Sequence, residues 1–459
     1  MRNRKIFLLF QNISAIIALI IFFPVNSYSK SLAAGDVEFW SNIRFRYEIQ
    51  NNFNLKAYGE DPIAGEEDDK FLLGRFRAGF TYRPFENILL SAGIQHSDVW
   101  DNALDDSSFF NKSFNREHNS YKDSFEPYNT YALLENLLSQ PLHLKIGRQK
   151  ISYGNKRIFG AGEWGNTGSW IWDAAKAHYS LRRGFIDAYY GKTIIHDPNE
   201  LSISHGHGFE SYGLYSSLNP LIEYESFFVE PFAMTKINEK RTYIGEDGTK
   251  GDLDSYYFGL RTGELNHKII DWEGTIVLQR GEHSSDQIRA YAYHLMLGYN
   301  FNFDLIKPQI SIEYSYASGD SDPKDGINET FDAAFGSRDR MYGRINLFRW
   351  KNLQDIQLNI KLNPSESIDL ILEYHEFSLA DDKDAWYLNP STYRDQTGNS
   401  GDDVGQEIDL TGTKRLPKGH VLQFGVGYFW PDEFAKNVTS NKDAVWGFLQ
   451  WEWDFSHIL

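Results

Sequence analysis

The chain of 459 residues carries 46 Lys+Arg against 63 Asp+Glu, a formal net charge of −17, with no Cys and with aromatics making up 16% of it. The acidic balance excludes a nucleic-acid partner, whose phosphates need a basic face. The lack of Cys excludes disulfides, thiolate metal sites, cysteine catalysis and an acylated lipoprotein N-terminus.

Segment 1–34 stands apart. Arg2, Arg4 and Lys5 precede an apolar run from Ile6 to Phe23, then Pro24 and small residues. This is the layout of a secretory signal peptide, with cleavage expected after Ser29 or Ala34. An uncleaved membrane anchor is the alternative. Beyond it no stretch approaches the length of a transmembrane helix, so the domain expected over 35–459 is either secreted or crosses a membrane by another route.

From residue 37 the period is two. Val37, Phe39, Ile43, Phe45, Tyr47 and Ile49 alternate with Glu38, Asn42, Arg44, Arg46, Glu48 and Gln50, which is a strand with one apolar and one polar face. Over 71–83, Leu72, Phe76, Ala78, Phe80 and Tyr82 alternate with Arg75, Arg77, Thr81 and Arg83. Strands are expected to begin near 37, 71, 87, 129, 142, 171, 185, 209, 222, 255, 270, 288, 307, 353, 368, 405, 420 and 443, about 18 in all. Long connections rich in Asp, Gly, Ser and Asn (51–70, 101–128, 154–170, 318–352, 381–404) alternate with tight turns such as Asn363-Pro364-Ser365 and Leu416-Pro417-Lys418-Gly419.

A soluble sandwich or propeller would hide the apolar face in a core. A transmembrane antiparallel β-barrel shows it to lipid, keeps polar groups inside, and has one long-looped and one tight rim with aromatic girdles. The alternating loops, the aromatics at strand ends (Tyr428, Phe429, Trp430; Trp451, Trp453, Phe455) and the leader favour the barrel, in the outer membrane. The last strand alternates Leu449, Trp451, Trp453, Phe455, His457 and Leu459 with Gln450, Glu452, Asp454 and Ser456. It resembles the terminal strand that barrel-insertion machinery reads, with Leu459 and His457 in place of the usual aromatics.

Residues 146–177 include Gly147-Arg148-Gln149, Tyr153-Gly154, Arg157, Trp164, Thr167 and Trp172-Asp173, with Lys176 following. A second block runs from Leu347-Phe348-Arg349-Trp350-Lys351 through Glu373-Tyr374-His375 to Asp384-Ala385-Trp386-Tyr387. Together they resemble the alginate export family of outer-membrane porins. In that family Phe is common at the place of Trp172 and Arg at the place of Lys176. The resemblance implies an 18-stranded barrel that passes an anionic polysaccharide, with Arg148, Gln149, Tyr153, Gly154, Arg157, Trp164, Thr167, Asp173 and Lys176 at the family's motif positions and no cofactor.

A conduit for a polymer with one carboxylate per sugar needs fixed positive charge that admits the chain and still releases it. Arg44, Arg46, Arg75 and Arg77 share the lumenal parity of neighbouring strands, and Arg261 and Lys361 do so farther along. Facing lipid at mid-membrane, each Arg would cost roughly 2 to 4 kcal/mol. They line a basic constriction or, in the plainer reading, neutralise inward carboxylates such as Glu48, Asp355, Glu373 and Glu452. Arg148, Arg157 and Lys176 are expected on the same path, although Arg148 falls in register with Leu144 and Ile146, so only a bulge near Gly147 would turn it inward.

His196, His205 and His207 crowd one outer loop, but no nearby carboxylate or Cys completes a ligand set, so a solvated loop is expected and no metal site. Asp320-Ser321-Asp322-Pro323-Lys324-Asp325-Gly326 lacks the closing Glu of a calcium loop and reads as an acidic surface loop. No nucleophile elbow, phosphate loop or dinucleotide fingerprint appears, so an enzyme is not expected. The reading is a passive channel for an alginate-like uronate polymer or oligomer. Its expected partners are that solute, outer-membrane lipid, the insertion machinery and periplasmic export or uptake components. The alternatives are a general porin for small anions, a barrel enzyme, or a plugged structural barrel.

Overall fold

Residues that alternate apolar and polar along a strand can bury only one set, and here the polar set is the buried one. In the strand Leu353–Ser365, Ile356 and Leu358 are 47% and 44% exposed while Asp355, Gln357 and Asn359 are nearly inaccessible. A soluble sheet would do the reverse, whereas a barrel in lipid must show its apolar side chains and keep its polar ones around the lumen. The computed structural model describes residues 32–459 apart from 60–65, 112–115, 118, 197, 199–200, 202–205, 220–225, 304–305, 339–340 and 389–390. The expected signal peptide therefore lies almost wholly outside the described residues, as does His205.

The chain forms a closed barrel of 18 antiparallel strands. They are β1 Val37–Asn51, β2 Asp69–Phe85, β3 Ile88–Trp100, a broken β4 (Asp123–Pro127, then Tyr131–Leu134), β5 Leu142–Lys150, β6 Ile171–Leu181, β7 Gly184–Ile194, β8 His207–Leu218 and β9 Phe227–Ile244. The circuit continues through β10 Lys250–Glu264, β11 Ile270–His283, β12 Asp286–Asn300, β13 Gln309–Ala317, β14 Leu353–Ser365, β15 Ile368–Ser378, β16 Asp403–Arg415, β17 His420–Pro431 and β18 Ala444–Ile458. The last strand pairs with the first, Ile43 opposite Trp453 and Arg44 opposite Glu452, so the barrel sheet closes on itself. Among the described residues no helix is long and apolar enough to cross a membrane, and crossing is by strands.

Most strands start within a few residues of the positions expected from the alternation. The fourth differs. Its second part begins at Tyr131, close to the expected start near 129, but a first part, Asp123–Pro127, precedes it, bent at Phe125 (φ 50°) and separated from it where Asn129 adopts φ of 48°. Pro127, which has no N–H to give a ladder, sits in the same stretch. The strand expected from 222 begins at Phe227, and 220–225 lie outside the described residues.

The lumen is not empty. The long connections fold into it and meet in an aromatic cluster that includes Phe53, Tyr58, Phe159, Trp172, Phe331, Phe335, Phe348, Trp350, Trp386 and Trp446. Much of the chain's aromatic load is used here, packing loops against the inner wall.

Candidate functional site: the lumen and its docked loop

The connection between β5 and β6, residues 151–170, enters the barrel and is held by the lumenal arginines of β1 and β2. Arg44 donates to the carbonyls of Glu163 (2.8 Å), Trp164 (3.3 Å) and Gly165 (3.1 Å) and to Asn166 Oδ1 (3.2 Å). Arg46 donates to the Trp164 carbonyl at 2.8 Å, stacks over the Trp164 ring at 3.6 Å and pairs with Glu48 at 2.9 Å. Arg77 reaches Glu163 Oε2 at 3.2 Å, and Arg75 bridges Glu163 to Glu452, which it meets at 3.1 Å. All four are buried. They face inward, as parity requires, and each of them contacts the loop.

Glu163 also pairs with Lys150. Burial opposes its ionisation, yet Lys150, Arg77 and Arg75 hold its carboxyl down to about 2. Protein surrounds it on most sides, while 47% of its side-chain surface stays open to the lumen. The docked loop stands between two chambers of about 530 Å³ each. One, toward the tight rim, is lined by Trp40, Asn42, Arg75, Arg77, Lys150, Glu163, Glu452 and Asp454. The other, on the long-looped side, is lined by eight cationic side chains (Arg46, Lys56, Arg157, Lys236, Arg338, Arg344, Arg349, Lys351) and by two carboxylates, Glu48 and Asp332.

Within that outer chamber Arg157 pairs with Glu313 at 3.0 Å, Arg344 with Glu373, and Lys236 with Asp332 at 2.5 Å. Arg349 donates to the Leu388 carbonyl, Lys351 lies over the Tyr387 ring at 4.4 Å, and Lys56 lies over Phe109 at 4.6 Å. Burial, with Arg338 and Arg349 nearby, lowers the Lys56 ammonium to about 8. Most of this set carries no strand parity in the sequence that would mark it as a lumenal group. The available signal was the density of cations from Arg338 to Lys351 in an acidic chain.

The motif residues of 146–177 build the dock. Tyr153 stacks on Tyr215 with ring centroids 4.2 Å apart and donates to Asp187 at 3.0 Å. Gly154 sits at φ 54°, where a Cβ would come within 2.9 Å of the Tyr215 hydroxyl and 3.0 Å of Arg261 Cδ. Trp164 packs edge-on against Trp446 and Phe448. The Thr167 carbonyl accepts from Gln95, its hydroxyl donates to Ser120, and Gln149 donates to the Ala174 carbonyl. Lys176 pairs with Asp187 at 2.8 Å.

Three of the expected path residues are placed less simply. Arg148 lies directly opposite Asp173 in an unshifted ladder, on the face it shares with Ile146, which is 49% exposed. Gly147 adopts φ 125° without adding a residue, so no bulge turns Arg148 inward. Arg148 instead forms a two-pronged pair with Asp173 at 2.9 Å, beside His207. Arg261 faces inward but is held between Glu230 and Glu273. Lys361 is half-buried on β14 and makes no ion pair among the described residues.

The histidine loop also differs from expectation. His196 is buried, 3.0 Å from Asp123 and 3.2 Å from Glu126, carboxylates contributed by the distant β4. Asp320, read as part of a surface loop, is mostly buried, and its N–H donates to Asp384.

In the fold of solved structures, the chain resembles the outer membrane protein OprD of Pseudomonas aeruginosa (10% identity, 95% of this chain and 97% of that one, TM-score 0.57). It likewise resembles OccK5 (OpdH) of the same organism (10% identity, 93% and 100%, TM-score 0.56) and OccAB2 of Acinetobacter baumannii (9% identity, 92% and 98%, TM-score 0.57). No curated protein matches the sequence. The model of the family described as Alginate export matches residues 37–448. With a porin-type barrel, an inward loop built from the motif residues and a family match over nearly the whole chain, this outer-membrane protein belongs to the alginate export family.

Proposed function

We propose that the protein is a passive channel for an anionic saccharide, a uronate polymer or oligomer, which it binds first in the outer chamber. The observation that carries this reading is the eight-to-two excess of cations over carboxylates lining that chamber, in a chain whose net charge is −17. Fixed cations in a low-dielectric cavity raise the local concentration of anions. Several of them are already paired or spread over aromatic rings, which weakens each attraction enough for release. Family membership supports export of a polysaccharide, and the barrel itself fixes no direction, since solute moves down its gradient either way.

The test is reconstitution in planar bilayers. Anion preference and concentration-dependent block by uronate oligomers are expected, both reduced in a Lys56→Gln/Arg349→Gln/Lys351→Gln variant and both shrinking at 1 M salt, where screening falls to about 3 Å. Anion preference without block by uronates would instead assign a general porin for small anions. Absence of anion preference would overturn both readings.

A further inference from the structure

We propose that Asp123, Glu126 and His196 form a site for a divalent transition metal of the zinc type, which fastens three separate segments at the long-looped end of the barrel. The two carboxylates come from the irregular first part of β4 and the imidazole from the connection after β7, and all three residues are at most 3% exposed. Their ligand atoms lie within 4.8 Å of one another. His196 Nδ1 is 3.0 Å from Asp123 Oδ2 and 3.2 Å from Glu126 Oε2. Ligands bonded at 2.0–2.2 Å to a tetrahedral zinc stand about 3.3 Å apart, close to the two separations that His196 Nδ1 makes with the carboxylates.

The surroundings suit a metal ligand set. His196 Nε2 faces the Gly168 carbonyl at 3.2 Å, which orients the ring with Nδ1 toward the carboxylates, the usual support of a ligating histidine. Gln95 donates to Asp123 Oδ2 at 2.7 Å. Asp123 Oδ1 is buried without a hydrogen-bond partner, a lone pair left over for a cation. Charge favours the same conclusion: two carboxylates with an imidazolium retain one negative charge in a buried place, whereas two carboxylates, a neutral imidazole and a divalent ion sum to zero. The ion would replace the Nδ1 proton, which passes to water. A nitrogen ligand among so few oxygens favours zinc-like ions over calcium or magnesium. Because Gly168 belongs to the docked loop, the metal would tie β4, the connection after β7 and that loop together. This inference does not depend on the solute carried.

The experiment uses the full protein in detergent, stripped with a chelator and dialysed. Titration with ZnCl2 by calorimetry should show one ion bound per chain with micromolar or tighter affinity, and Co2+ should give visible absorption bands of low coordination number. His196→Ala and Asp123→Asn should abolish both signals, while His207→Ala leaves them intact. Failure of the wild-type protein to bind would overturn the proposal even if no variant folds. Unchanged binding by His196→Ala would place the ion elsewhere and overturn it as well.

Discussion

At Glu163 a carboxylate is both a loop anchor and a wall of the inner chamber. Its ionisation is favoured when the loop is docked, so docking is fully supported above the ordinary carboxyl value of 4.5 and loses support as pH falls toward about 2. Single-channel recordings should therefore show larger, noisier currents as pH drops from 5 to 2. Glu163→Gln should show them already at pH 7, and an unaltered acid response in that variant would assign the effect to other carboxylates. Lys56 titrates at the other end of the scale. Its ammonium, lowered to about 8 by burial and by Arg338 and Arg349, should lose its charge between pH 7 and 9, so anion preference should decline over that range. Reversal potentials in Lys56→Arg should stay flat with pH, and those in Lys56→Met should start low and stay low. A further residue test is Gly154→Ala, which puts a Cβ at φ 54° against Tyr215 and Arg261. Such a backbone costs a side-chain-bearing residue about 1 kcal/mol before any clash, and the loop should become measurably more sensitive to added protease with the barrel intact.

Among the elements, strands were legible and loops were not, for a physical reason. In β1 and β14 a two-residue period with one face in lipid leaves no second solution, since a slip by one residue would send Arg44 or Asp355 into hydrocarbon. The placement of β1 and β2 against each other, Arg44 opposite Arg75, follows from that parity. What Arg44 touches does not. Its partners are main-chain carbonyls of 163–165, and a backbone leaves no mark in side-chain identity. The cations Arg338, Arg344, Arg349 and Lys351 carry no period because they lie on an irregular connection, among buried rings such as Phe348 and Trp350. The carboxylate partners of His196 were invisible for the same reason, because β4 and the end of β7 are brought together by the circuit of the barrel and not by spacing along the chain. The docked loop is itself testable as an element: removing 161–168 with a short Gly-Ser bridge should raise unit conductance several-fold and abolish uronate block, without altering the heat-dependent gel mobility that reports the folded barrel.

For the whole molecule, the closed ladder from β1 to β18 and the division into a long-looped and a tight rim fix how it sits in the outer membrane. Protease added to intact cells should cut the exposed turn around Thr397 and Asn399. It should spare the tight turns at 365–368 and 417–419, and also 345–350, whose Leu347, Phe348 and Trp350 are buried although the connection is long. Cuts at the tight turns in intact cells would invert the orientation. The grip of Arg44 has a consequence on an evolutionary scale. Three of its four contacts on the docked loop read only the course of the main chain at 163, 164 and 165, so this grip survives exchange at Gly165, where an added Cβ would meet nothing nearer than 3.8 Å, while the side chains of Glu163 and Trp164 are held by contacts of their own. Each of those positions borders a chamber. Relatives with the same socket could therefore diverge in cargo through substitution at the tip, with the barrel left unaltered.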